Sequence, residues 1–349
     1  MVFPPVSRRA FGALSVLSAV AACTGASWAQ APGSTGGRIT IAVGGQAVLY
    51  HLPLTIADRL GFFQAGGLDV PVRDFAGGAL ALQAVHDGAA HVCSGAYEHT
   101  LRQQTQGHDY RAFVVQGRAP QQALGVSVRA LPGYRRPADL RGRRVGVSAP
   151  GSSTQVMASV LLARAGVDAR EVSFVGVGTG ATAVAALRTG RVHALCHADP
   201  IMSLLEHRGE VRLVSDLRTL TAAQEVFGGA MPASCLYAPQ AFLHKEPMVA
   251  QALTNAIVHA LKWLQTASPA DLIKAVPASY VLGDRAVYLA AFNRVRETFS
   301  PNGLMPEDGP ATALRALAQA YPHMASPRVS LPRTFTDDLA RKARQKFGV

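Results

Sequence analysis

The chain has 349 residues, 49% of them hydrophobic and 16% charged, with a formal charge of +12. That length and composition suit a globular chain of two domains, each with its own core, and exclude a disordered one. A basic balance fits nucleic acid, an anionic membrane or an anionic small molecule. The arginines are scattered singly, though, the densest group being Arg141, Arg143 and Arg144, with no zinc-finger spacing or basic heptads, which argues against nucleic acid.

Residues 1–31 predict an export signal. Arg8 and Arg9 precede an apolar stretch from Phe11 to Ala22, shorter than the roughly 20 residues of a membrane span. The run SRRAF fits a twin-arginine signal, and also a Sec signal carrying two arginines. Cleavage after Ala29 suits the small residues there. Val20 to Cys23 reads as a lipoprotein box, so a product lipid-anchored through Cys23 and a free one both stand open. Either product works outside the cytoplasm, in the periplasm. Beyond Cys23, an odd set of cysteines remains (Cys93, Cys196 and Cys235), each in an apolar context, which predicts buried thiols rather than a metal set.

Residues 32–37 read as a linker. Residues 38–44 alternate as a strand. Leu54, Ala57, Leu60 and Phe63 then share a helix face that stops at Gly66-Gly67. A strand over 68–75 follows, then a helix from Ala79 to His86, and strands over 90–95, 111–117 and 123–130. This β-α-β-α-β order predicts a largely parallel sheet covered by helices. The order repeats from Pro137. A short helix leads into a strand from Arg144 to Val147, a helix from Thr154 to Ala165, a strand over 171–178, a helix over 180–190 and a strand over 192–198. Past about residue 238 the pattern becomes helical, from Met248 to Gln265, Pro269 to Ala275, Asp284 to Thr298 and Gly309 to Ala320, with a basic helix at the end.

Ligands of open α/β sheets sit outside the carboxyl ends of strands, so the loops there are the candidates. Ala149 to Thr154 (APGSST) enters a helix. Ser152 or Ser153 fits the N-cap, and the free N–H groups and helix dipole favour an anion. Gly176, Gly178 and Ala181 follow a strand in a dinucleotide-like spacing, with Asp199 about 20 residues on. A true fingerprint sits in the first β-α turn of its domain, so a glycine-lined binding or packing turn is predicted instead, with no cofactor. His197 and Asp199, two apart at a strand end, share a face. No third metal ligand accompanies them. SGAYEHT (94–100) holds the residue types of a hydrolase triad. Adjacent Glu98 and His99 cannot form the required chain of contacts, and no G-x-S-x-G elbow exists. A ligand-facing turn is expected, with Ser94 and Tyr97 toward the cleft. Glu98 there either binds a cationic or amide group or favours the helix N-terminus.

These segments, in order, resemble the periplasmic substrate-binding proteins of ABC importers, in the nitrate/sulfonate/taurine and NMT1/THI5-like group. The opening from Ile39 to Thr100 (ITIAVGGQAVLYHLPLTIADRLGFF onward), PADLRGRRVGVSAPGSST and VAALRTGRVHALCHADP carry the likeness, which spans about residues 38–265. The resemblance implies an α/β type II periplasmic binding protein fold. Two Rossmann-like lobes, 32–127 with 233–349 and 128–232, would close around a ligand cleft by a hinge motion. It implies a monomeric, non-enzymatic receptor that carries a small-molecule solute to an inner-membrane ABC permease. The expected ligand-binding residues are Gln46, Tyr50, Ser94, Tyr97, Glu98, Ser152, Ser153, Thr154, His197 and Asp199. Serines and N–H groups would hold a sulfonate or carboxylate, with Tyr50 and Tyr97 around its body. A pyrimidine paired to Glu98 or Asp199 is the alternative ligand, and a periplasmic enzyme the rival class. A related pyridoxal-phosphate enzyme needs a lysine, and the first lysine here is Lys245.

Overall fold

The first strand, β1 (Ile41–Gly44), is buried along its whole length, as the centre of a parallel sheet demands. The computed structural model describes residues 38–325 and 329–349. The expected export signal, Cys23 included, lies outside them. After β1 come α1 (Leu52–Arg59), α2 (Phe62–Ala65), β2 (Val72–Phe75), α3 (Gly78–His86), β3 (Val92–Ala96), α4 (Glu98–Thr105) and β4 (Tyr110–Val115). The single helix expected around Leu54 to Phe63 is thus two. Gly61 turns left-handed, at φ 73°, and ends the first of them.

The second half continues with β5 (Gln122–Ser127), β6 (Arg144–Val147), α5 (Ser153–Arg164), β7 (Ser173–Gly176), α6 (Ala181–Arg188), β8 (Ala194–Ala198), α7 (Ile201–His207), β9 (Val211–Asp216) and α8 (Leu220–Phe227). Then follow β10 (Ser234–Pro239), α9 (Gln240–Lys245), α10 (Pro247–Thr266), α11 (Pro269–Ala275), α12 (Arg285–Val295), α13 (Gly309–Ala320) and α14 (Asp338–Phe347).

The strands form two five-stranded sheets, β2-β1-β3-β10-β4 and β7-β6-β8-β5-β9. Two α/β lobes result. Each sheet is largely parallel, four strands running one way, and the single reversed strand in each is the one delivered by a crossing from the other lobe. β5 runs antiparallel to β8 and β9, and β10 antiparallel to β3 and β4. Residues 122–127, expected with the first lobe, are therefore a buried strand of the second sheet, and the chain crosses at 116–121.

α10 packs with α1 and α14 beside the first sheet, while α12 lies on α7 and α13 on α5. The carboxy-terminal stretch thus touches both lobes. Arg294 of α12 pairs with Glu206 of α7 at 2.7 Å, and the Tyr321 hydroxyl donates to Ser159 Oγ at 3.3 Å. Among the described residues no helix is long and apolar enough to cross a membrane.

Candidate ligand cleft

The carboxyl ends of β1 and β3 face those of β6 and β8 across a cavity of about 40 Å³. Gly44, Tyr50, His51, Gly95 and His99 wall it on the side of the first sheet. Gln122, Ser148, Ser153, Thr154, Thr179 and His197 wall it on the side of the second. Hydrogen bonds between the lobes shut its rim. Ala79 N at the head of α3 donates to Ser152 Oγ at 2.9 Å, and Leu49 N to the Asp199 carbonyl at 2.8 Å. Arg102 Nη1 donates to the Gly151 carbonyl at 2.8 Å.

Of the ten expected residues, Tyr50, Ser152, Ser153, Thr154 and His197 line this cavity. Ser152 does occupy the N-cap of α5, but its hydroxyl makes no bond to that helix and accepts from α3 instead. It is a latch between lobes rather than a local cap. Ser153 Oγ accepts from Gln122 Nε2 at 2.9 Å, and Thr154 Oγ1 accepts from Ser148 N at 2.9 Å. His197 has both ring nitrogens committed to its own lobe, Nδ1 accepting from Ala198 N and Nε2 donating to the Gly178 carbonyl.

The other five expected residues stand off the cavity. Ser94 lies beneath the wall, fully buried, accepting from Gln116 Nε2 at 3.0 Å and bonded to His51 Nδ1 at 3.2 Å. It orients His51, which does reach the cavity. Tyr97 corrects the expectation outright. Its ring is buried in the core, its hydroxyl bonded to Thr334 Oγ1 at 2.6 Å. Asp199 points into the second lobe, where Oδ1 accepts from Arg218 Nη1 at 3.2 Å and from Ser203 N at 2.7 Å. A buried guanidinium needs paired anions, and Asp199, Glu206 and Asp216 supply them. Gln46 is half-buried at the edge, its N–H turned to Asp74 Oδ1. Glu98 is buried close to Ser153, outside the lining itself.

The family model described as NMT1/THI5 like matches residues 48–270, most of the chain and all but the first turn of this cleft. The chain belongs to the NMT1/THI5-like family. A solved structure from Bordetella bronchiseptica RB50 shares 52% identity and superimposes with a TM-score of 0.88, covering 89% of this chain and 98% of that one. The periplasmic nitrate-binding protein NrtA from Synechocystis PCC 6803 gives a TM-score of 0.68 at 14% identity, covering 89% of each chain. The alkanesulfonate-binding protein SsuA from Xanthomonas axonopodis pv. citri, bound to MOPS, gives 0.64 at 19%, covering 86% of this chain and 98% of that one. These last two share the two-lobed periplasmic binding protein fold. No curated protein matches.

In this NMT1/THI5-like chain most residues lining the inner cavity carry uncharged polar side chains, and no Arg, Lys, Asp or Glu is among its described lining residues. Burial drives His51 down to about 3. His99 falls to about 3 as well, through burial and then the Arg102 charge. Burial also lowers His197 and raises Tyr50 well above the usual phenol range. Glu98 is pushed up to about 7, chiefly by burial. Several buried polar atoms around the cavity have no partner among the described residues: Tyr50 Oη, His99 Nε2, Gln122 Oε1 and Glu98 Oε1. Such atoms are rare in folded proteins, each costing about 1–3 kcal/mol when unmet, so their clustering marks a place for a polar ligand. Sequence reading missed His51, Gln122, Ser148 and Thr179 as lining residues. The one available signal was position, since Ser148 directly follows β6 and Thr179 lies three residues past the end of β7.

Proposed function

We propose that this chain is an extracytoplasmic solute receptor of an ABC importer, not an enzyme. Its lobes turn about the crossings at 116–121 and 217–233, close on a small organic molecule, and present it to an inner-membrane permease as a monomer. The observation that carries this reading is a cavity lined mostly by residues with polar side chains, walled by the carboxyl ends of both sheets and shut by hydrogen bonds running between them. The arginine pair at Arg8 and Arg9 supports export to the periplasm.

The first ligand class is a sulfonate or carboxylate, seated at the amino end of the twelve-residue α5 beside Ser153 and Thr154. Relatives in fold bind an alkanesulfonate and nitrate. One observation favours the second class, a pyrimidine. The lining carries no cation, and Glu98 near Ser153 sits close to half-protonation at neutral pH, able to accept from a ring amine.

Native mass spectrometry of the periplasmically expressed protein is the test. A retained small molecule is expected, and its mass assigns the class. A protein that retains nothing, is not stabilised by any sulfonate, carboxylate or pyrimidine, and turns over a hydrolase substrate would overturn the receptor reading.

A further inference from the structure

A second cavity of about 220 Å³ opens outside the first, between α3 and α4. Gln83 and His86 come from α3, Arg102 and Gln103 from α4, His108 from the turn before β4, and Gly151 of the other lobe closes the top. The rings of His86 and His108 meet edge to face, 4.8 Å between centroids. No carboxylate is among the described lining residues, and Asp87, beside His86 in sequence, accepts from Gln83 Nε2 at 2.7 Å. Arg102 spends one N–H on the Gly151 carbonyl, and its guanidinium lies over the Tyr321 ring at 5.8 Å. That is its one hydrogen bond as a donor among the described residues, out of the five N–H groups an arginine carries. His99 forms a wall of both cavities. It is 2% exposed, and its Nε2 has no partner among the described residues.

We propose that this outer cavity is an anion site, taking a carboxylate or phosphate-type oxyanion between Arg102 and the His86–His108 pair. The arginine fork matches such an anion in shape and charge, and imidazole and amide N–H groups add donors around it. A metal ion is the poorer occupant, since among the described residues no group of three His, Cys, Asp or Glu is placed to hold one. The anion has two sources: a free ion, or the far end of a solute whose body fills the inner cavity. The His99 ring lines both cavities, and the Ala79–Ser152 hydrogen bond joins a lining residue of one to a lining residue of the other. The second source rests on the receptor reading. The first does not.

Titration of inorganic phosphate into the full chain, followed by NMR of the histidine ring protons, tests the site. The His86 and His108 signals are assigned with His86→Gln and His108→Gln. The protein is taken as purified and again after unfolding, dialysis and refolding, which strips any co-purified solute. Saturable shifts of both signals are expected in the stripped protein, with affinity weakened about tenfold or more in Arg102→Gln, the loss a missing charge-assisted hydrogen bond brings. Because Arg102 also braces Gly151, calorimetry on His108→Gln is the second measurement, with weaker phosphate binding expected. Shifts in the stripped protein alone assign the anion to the solute's end, and shifts in both preparations to a free ion. No saturation in the stripped protein, or binding undiminished in both variants, overturns the proposal. Phosphate binding in a protein that retains no solute, is stabilised by no sulfonate, carboxylate or pyrimidine and turns over a hydrolase substrate would sink the receptor reading and leave the anion site standing.

Discussion

Tyr97 shows how much one side chain in SGAYEHT decides. Fully buried and tied to Thr334, it braces the first lobe against the carboxy-terminal segment. Tyr97→Ala is expected to destabilise the fold by about 3–5 kcal/mol, the range for emptying an aromatic site. Tyr97→Phe should lose about 1 kcal/mol, the net worth of one hydrogen bond, with solute affinity unchanged. Urea denaturation beside a binding titration checks both, and a Phe variant of normal stability that fails to bind would return Tyr97 to the cleft. Ser94 behaves differently. Ser94→Ala leaves Gln116 Nε2 and His51 Nδ1 without a partner, both buried, so a loss of about 1–3 kcal/mol is expected together with weaker solute binding. That residues 90–95 form a strand was readable in the sequence. Which face meets the core was not, because every residue of that strand is buried.

Between elements, the glycines at strand ends set how closely the lobes meet. A Cβ on Gly77 would lie 2.7 Å from Ala149 Cβ and 2.9 Å from Ser152 Oγ, both in the other lobe. Its backbone is extended, φ 172°, which any residue adopts, so alanine there strains neither lobe alone. Gly77→Ala should prop the lobes apart. Overpacking of this kind costs about 1–3 kcal/mol, which lowers solute affinity by about fivefold to a hundredfold, while the solute-free protein melts as before. Calorimetry and small-angle scattering with and without solute would show it, and unchanged affinity would remove Gly77 from the closure. Gly44 is the contrast. Its Cβ would come within 2.2 Å of Gly78 N in the same lobe, so alanine there harms folding itself. At this scale most helices were legible, α11 and α13 to the residue, because apolar spacing and the Pro and Gly flanks are local signals. β9 and β10 were not. β10 pairs with β3 and β4 after more than a hundred intervening residues, and no local pattern reports a partner that distant.

The whole molecule couples this uncharged cleft to its stability. His51 and His99 titrate at about 3 in the folded state against an ordinary 6.5. Between those values the unfolded chain binds more protons, so stability rises with pH toward 6.5 and is lost as pH falls. Each shift corresponds to about 5 kcal/mol at most, which predicts steep acid unfolding. Glu98 acts in the opposite sense. Its folded value of about 7 lies above its ordinary 4.5, so between the two the folded state holds the extra proton. Stability from this group is present at low pH and is lost as pH rises through about 7, by about 3 kcal/mol at most. Glu98→Gln keeps the neutral shape and removes that leg, so its stability relative to wild type should grow from pH 4.5 to 7.5. Urea denaturation across pH 4–8 measures this, and parallel curves would show that Glu98 ionises freely. The same proton then separates the two ligand classes. An anionic solute beside Ser153 favours protonated Glu98, so wild-type affinity falls as pH rises past 7 and Glu98→Gln flattens the profile. A pyrimidine offering a ring amine needs the carboxylate, so affinity rises over that window and Glu98→Gln binds weakly at every pH. Calorimetric titration of the retained solute at pH 6 and pH 8, on both proteins, reads the sign directly.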